Sequence, residues 1–178
     1  MVRGLVRAAT AAALLTFAAC QTQPPPTPLV IAGSSLRVPL PAGWQATPGI
    51  GADLYLRPTE HGRPVRGAFL LVAHDEPRHA DPSLASYVDF KLEREARASP
   101  EQTLLRREGL RMSGHEAVRV LRRMRGVQST RMVWTQYVIA DGRGWTLVAS
   151  CEARDYPRLK GAFRRWLDGA TVADDVRS

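Results

Sequence analysis

Cysteine and lysine are scarce in this chain, and long apolar stretches are missing. Of 178 residues only Cys20 and Cys151 are cysteine, so at most one internal disulfide is available and the core has to hold without a set of covalent staples. Lysine occurs only at Lys91 and Lys160 against a total of 25 basic residues. An arginine skew of this kind more often marks a GC-rich genome than arginine-specific recognition. No run approaches the roughly 20 apolar residues that a membrane-crossing helix needs. No acidic residue precedes Asp53. The glycine-rich phosphate loop, the dinucleotide fingerprint and the Gly-x-Ser-x-Gly nucleophile turn are all missing, as are internal repeats.

What is present begins at the N-terminus. Arg3 and Arg7 precede an apolar run from Ala8 to Ala19, and Cys20 follows it directly. A short basic start, a brief apolar segment and small residues at its end make a secretory signal over residues 1–19. Cysteine after two alanines resembles the lipobox of bacterial lipoproteins. The resemblance implies diacylglycerol on the Cys20 sulfur and a mature chain that starts there. The family prefers leucine three positions earlier, where this chain has Phe17. The competing reading is an ordinary cleavable signal using Thr16 and Ala18, which leaves Cys20 unmodified. One fatty chain binds a membrane marginally, so stable anchoring needs the several chains of a lipoprotein. Gln21 after the cysteine resembles the outer-membrane sorting pattern of two-membrane envelopes.

Gln21–Pro28 is rich in proline, which keeps a backbone extended. Residues 20–35 therefore read as lipidated terminus and tether, and 36–178 as one domain of ordinary globular composition. The net charge of +8 falls by two when Arg3 and Arg7 are removed. A basic exported surface suits anionic headgroups or acidic partners, and an exported protein rarely meets nucleic acid.

Within the domain, Ser34–Leu40, Ala52–Arg57 and Gly67–Ala73 read as strands, the third apolar enough to be covered on both faces. Pro41–Trp44 turns out of the first. Asp81 and Pro82 predict a helix start, and Leu84, Tyr87, Val88 and Leu92 recur at helical spacing until Ser99-Pro100. Strands follow around Thr103–Leu110, Ala117–Met124, Thr130–Ala140 and Trp145–Glu152. Ser113-Gly114 and Asp141-Gly142 are tight hairpin turns. Asp155 and Pro157 open a closing helix whose Leu159, Ala162, Phe163, Trp166, Leu167 and Ala170 form one apolar stripe. The expected class is α+β, an antiparallel sheet of about seven strands with two main helices packed on it.

This order of parts resembles the PsbP-like and DcrB-like domains, many of them lipid-anchored bacterial proteins. The resembling pieces are Leu36–Trp44, Met112–Ala117, Trp145–Cys151 and the helix from Pro157. They span about Leu36 to Val172. The resemblance implies an α/β/α sandwich that acts by binding other proteins, with no shared catalytic constellation to transfer.

Candidate chemistry is sparse. His74-Asp75-Glu76 with His79 offers metal-ligand types, but the histidines are five apart with Pro77 between, so they do not share a helix face. Ser113, His115 and Glu116 are types found in nucleophilic sites, but neighbours in a turn point apart. Strand alternation places Arg119, Arg123 and Arg125 on one face with Arg122 opposite, a candidate basic surface patch that Arg107 or Arg131 could extend. A solvated, charged sheet edge is the competing reading. Cys151 reads as a buried filler, and Trp134 and Trp145 as core. The expectation is a lipid-anchored, non-enzymatic envelope protein on the extracytoplasmic side, with a protein partner and no metal or cofactor. A small-ligand or lipid-binding domain is the alternative, followed by a hydrolase using His74 or His115.

Overall fold

In a computed structural model the chain is described over residues 28–48, 51–60, 63–64, 67–76 and 83–173. Cys20 and His79 lie outside these residues. The strands are β1 (Pro28–Val30), β2 (Leu36–Pro39), β3 (Trp44–Ala46), β4 (Leu54–Glu60), β5 (Arg63–Pro64) and β6 (Phe69–Asp75). Helix α1 (Leu84–Ala98) follows, then β7 (Gln102–Met112), β8 (His115–Arg125), β9 (Thr130–Ala140) and β10 (Arg143–Glu152). Helix α2 (Tyr156–Asp168) and β11 (Thr171–Val172) complete the order.

The main sheet runs β3-β4-β6-β10-β9-β8-β7, antiparallel throughout, with β5 paired to β4. Both predicted hairpins are two-residue loops. Met112 pairs with His115 and Ala140 with Arg143. Ser113 and Gly114 sit at φ 49° and 86°, Asp141 and Gly142 at 54° and 68°, which is the geometry that matches the right-handed twist of the flanking strands. The α+β sandwich is as the sequence indicates, but the short β1, β5 and β11 are additional to the expected strands, and β2 and β3 are placed differently. β2, read as the first strand, belongs to a separate small sheet in the order β1-β2-β11. Its place in the main sheet is taken by β3, where a turn was expected. Three residues are too few for an alternation signal; packing secures them, with the Trp44 ring edge-on to Phe163 at 6.4 Å. The small sheet thus includes Pro28–Val30, residues read from the sequence as tether.

The helices cover opposite faces. Phe163, Trp166 and Leu167 of α2 are buried against Leu56, Leu70, Val72, Trp145, Leu147, Ala149 and Cys151, in a core that also takes in Leu36 and Val38 of the small sheet. Each fully buried large apolar side chain contributes about 1.5–3 kcal/mol before entropy is counted. α1 lays Tyr87 and Val88 on Val120 and Tyr137 of the other face. Its cap is Ser83, whose hydroxyl accepts from the Ser86 amide; this places the helix start two residues beyond the expected Asp81, which lies outside the described residues. No helix among the described residues is long and apolar enough to cross a membrane.

Candidate functional site

Strand β8 carries the predicted arginines. Opposite neighbours in the sheet share a face, so Arg119 goes with Gln136, and Arg123 with Met132, on the α2 side. Alternation thus orders the side chains as expected, but Arg119 is not part of a surface patch. It is 3% exposed. Its Nε and Nη2 donate to Gln136 Oε1 at 2.9 and 2.5 Å, and Nη2 meets Asp168 Oδ1 at 2.7 Å. Asp168 ends α2, so the helix terminus closes over this position, while residues 123 and 125 lie past the covered stretch. Arg107 and Arg131 do not extend the patch either. Arg107 pairs with Asp89 of α1 at 3.0 Å. Arg131 binds Ser150 Oγ and the Gly67 carbonyl with its guanidinium 5.3 Å from the Phe69 ring, on the α1 side.

Arg123 and Arg125 remain exposed. With Pro100, Glu101, Gln102 and Thr103 they line a polar groove of about 370 Å³ where β7 begins. Thr103 stands opposite Arg123, and the Arg125 amide donates to the Glu101 carbonyl at 3.1 Å. Neither guanidinium has a carboxylate partner among the described residues. Beside the groove, β7 is an edge strand whose pairing slips between Leu104 and Arg106. Leu104 is 51% exposed and Leu105 45%, and Val127 in the connection from β8 to β9 projects fully into solvent. Unpaired backbone, uncompensated positive charge and exposed apolar side chains thus meet at one corner. A bulge and edge charges are the usual means of discouraging strand addition, and here they sit beside leucines that attract it.

The other candidates are separated in space. His74 Nδ1 lies 2.8 Å from Asp53 Oδ2, with its ring 5.2 Å from Trp145. The pair stands at a half-exposed position of β6, and among the described residues no hydroxyl or thiol is bonded to the other ring nitrogen. Ser113 Oγ accepts from the Val172 amide, tying the β7–β8 turn to β11, and so is occupied structurally. No three His, Cys, Asp or Glu gather as metal ligands among the described residues. Cys151 is buried, and burial pushes its thiol up to about 11, away from nucleophilic reactivity.

Sequence reasoning missed the polar seam under α1. Arg122 is 4% exposed; it pairs with Glu95, donates to Thr135 Oγ1 at 2.9 Å and reaches Gln102 Oε1 at 3.3 Å. The Tyr137 hydroxyl donates to the same Glu95 carboxylate at 3.2 Å. One turn earlier, Asp75 accepts from Lys91 at 2.7 Å and from the Tyr87 hydroxyl at 3.0 Å. The signal was available: Lys91 and Glu95 continue the spacing of Leu84, Tyr87 and Val88, so the inward stripe carries charge. Burial works to raise the Asp75 pKa, but Lys91 and Tyr87 outweigh it and the net shift is downward.

Burial also pushes the Tyr137 hydroxyl up to about 12, against the opposing charge of Arg122. A phenol favoured in its neutral form by folding supports stability fully below its unfolded pKa near 10, and that support is lost as pH rises towards 12. Urea unfolding at pH 11.5 should therefore show about 2 kcal/mol less stability from this side chain than at pH 8, and Tyr137→Phe should flatten the decline. An equally steep decline in the phenylalanine variant would contradict the assignment.

No protein-family profile matches the chain, and no curated protein sequence does. Solved structures do. Cyanobacterial PsbP (CyanoP) of Synechocystis sp. PCC 6803 superposes with TM-score 0.60 at 16% identity, over 83% of this chain and 92% of its own. LpqN of Mycobacterium tuberculosis, described as involved in cell envelope biogenesis, gives 0.61 at 16% identity over 83% and 90%. The Ran-binding protein Mog1p of Saccharomyces cerevisiae gives 0.59 at 8% identity over 83% and 95%. At such identities the shared property is architecture, and by that measure the chain has the PsbP-like α/β/α fold.

Proposed function

We propose that this is a lipid-anchored, non-enzymatic domain of the cell envelope that binds a protein partner through the corner formed by β7 and the end of β8. The observation that carries the reading is the groove lined by the unpaired Arg123 and Arg125, with exposed Leu104 and Leu105 next along the β7 edge. A buried apolar anchor beside charged groups is the common composition of protein-binding surfaces. The likeness to a protein described as involved in envelope biogenesis supports the setting. The partner's surface is expected to be acidic where it meets Arg123 and Arg125. In a two-membrane envelope, the sequence at Cys20-Gln21 favours the outer membrane with the domain facing the periplasm.

A ligand pocket between sheet and helix, the alternative reading, has little support in the packing there. Leu147, Ala149, Cys151, Phe163, Trp166 and Leu167 are at most 1% exposed.

Two experiments test the proposal separately. Fatty-acid labelling in cells should mark the wild-type protein and leave Cys20→Ala unmarked. Unlabelled wild type would remove the anchor. Crosslinking in cells followed by pull-down from solubilised membranes should recover a partner with the wild type, and Arg123→Glu/Arg125→Glu should recover at least tenfold less, since rim charges govern encounter and register. These side chains are exposed, so the thermal midpoint should not move. Recovery of the bait alone, or equal recovery by the charge-reversed protein, would reject the corner as the binding site.

A further inference from the structure

The outer face of α2 is basic, and it lies where the anchor enters the domain. Four consecutive features establish this. Pro28, the first described residue, pairs with Pro39 across the small sheet. Pro39 in turn is packed against Gly169, which caps α2; a Cβ built on Gly169 would stand 3.1 Å from the Pro39 ring. The chain therefore enters beside the C-terminal end of this helix. Running back from that end, Arg165, Arg164 and Lys160 are all exposed, and none has an acidic partner among the described residues. Arg37, exposed on β2 opposite Thr171, continues the positive surface across the small sheet, next to Val30 at 62% exposure.

The lengths agree. Cys20 and Pro28 are eight residue steps apart and can span no more than about 29 Å. At the rise of an α-helix, Lys160 lies about 14 Å from Gly169 along the axis. A domain held that close to a bilayer has its α2 face within the span of the tether. Headgroup charge acts over a Debye length, roughly 8 Å at physiological salt. Helix α2 also has the form such a surface requires: an apolar stripe spent entirely on the core, leaving an outer face that can attract anions without inserting.

We propose that the outer face of α2, extended by Arg37, docks the domain flat against the anionic headgroups of the membrane that holds its lipid. The orientation rests on the Cys20 anchor proposed above, whereas the surface itself does not, so the two can fail separately. The test uses the complete mature chain from residue 20 carrying Cys20→Ser, which cannot be lipidated. Its binding is measured by co-sedimentation with vesicles of phosphatidylcholine alone and of phosphatidylcholine mixed with phosphatidylglycerol. Binding is expected on the anionic vesicles only, and should weaken as salt is raised. Each basic side chain close to such a surface contributes about fivefold, so Lys160→Gln/Arg164→Gln/Arg165→Gln should bind about a hundredfold more weakly. Arg94→Gln/Arg97→Gln, exposed on α1 across the sheet, should bind nearly as the parent does. Equal binding to both kinds of vesicle, full binding by the Lys160/Arg164/Arg165 variant, or an equal loss in the Arg94/Arg97 variant would each overturn the proposal. Failure of fatty-acid labelling in cells would remove the anchor and leave the vesicle result standing.

Discussion

Gly144→Val should lower stability by about 3 kcal/mol, because overpacking a dense site costs 1–3 kcal/mol and polar bonds go with it. Gly144 is inside β10, not in the turn. A Cβ placed on it would fall 2.4 Å from Tyr87 Cζ, with two further ring carbons inside 3 Å. Such a clash is cheap when the opposing group can swing away, and here it cannot. The Tyr87 ring is 2% exposed and edge-on to Tyr137 at 6.1 Å. Its hydroxyl is held by Asp75 and by Thr146 Oγ1, each at 3.0 Å. Relief therefore requires α1 to lift, exposing Val88 and loosening the link between Asp75, Lys91 and Tyr87. For a domain of this size the thermal midpoint should drop by roughly 10 °C. The diagnostic comparison is Tyr87→Ala/Gly144→Val. With the ring gone the valine has room, so the double variant should be no less stable than Tyr87→Ala alone. Additive losses would show that Gly144 matters for some other reason.

Gly144 also shows where sequence reading runs out. Gly142 and Gly144 look alike in the chain, and both precede the strand expected from Trp145. Gly142 is a turn residue: its φ of 68° and that of Asp141 at 54° are demanded by a two-residue turn, and the dipeptide announces them. Gly144 is required by a ring from a helix more than fifty residues earlier, and no local pattern records that. The arginines divide in the same way. Alternation assigns Arg119, Arg123 and Arg125 to one face correctly, since strand parity is a local property. Whether a face is covered depends on how far a helix extends over it, and Asp168 covers position 119 but not 123 or 125. The apolar stripe of α2 was legible because hydrophobic spacing is strong and uninterrupted. The inward stripe of α1 was legible only as far as its apolar members, for a charged residue at helical spacing is ordinarily solvent-facing.

Glu95→Ala is the second large effect, expected at about 3 kcal/mol, the lower end of what removing one partner of a buried ion pair costs. The lower end applies because the Glu95 side chain is 29% exposed, while that of Arg122 is only 5% exposed. Without the carboxylate, the guanidinium keeps Thr135 and Gln102 as neutral partners, and its Nε has none. Burial already lowers the Arg122 pKa, a sign that the charge is held at a cost. Tyr137 loses its acceptor as well. The pair need not be a net source of stability, and a double-mutant cycle separates the two possibilities. Arg122→Met removes the charge and leaves Glu95 able to turn towards solvent, so it should cost less than Glu95→Ala. Arg122→Met/Glu95→Ala should then be more stable than Glu95→Ala alone, because no unpaired charge remains under the helix. Urea unfolding of the four proteins measures this directly. If the single losses simply add, the two side chains are not energetically coupled and the seam is held by Tyr87 and Asp75. If the double variant recovers, the ion pair fixes how α1 sits on the sheet while contributing little to how strongly it binds there. That division matters for the β7–β8 corner, since Gln102 belongs both to this seam and to the groove. Shifting α1 would then alter the groove without any change in Arg123 or Arg125.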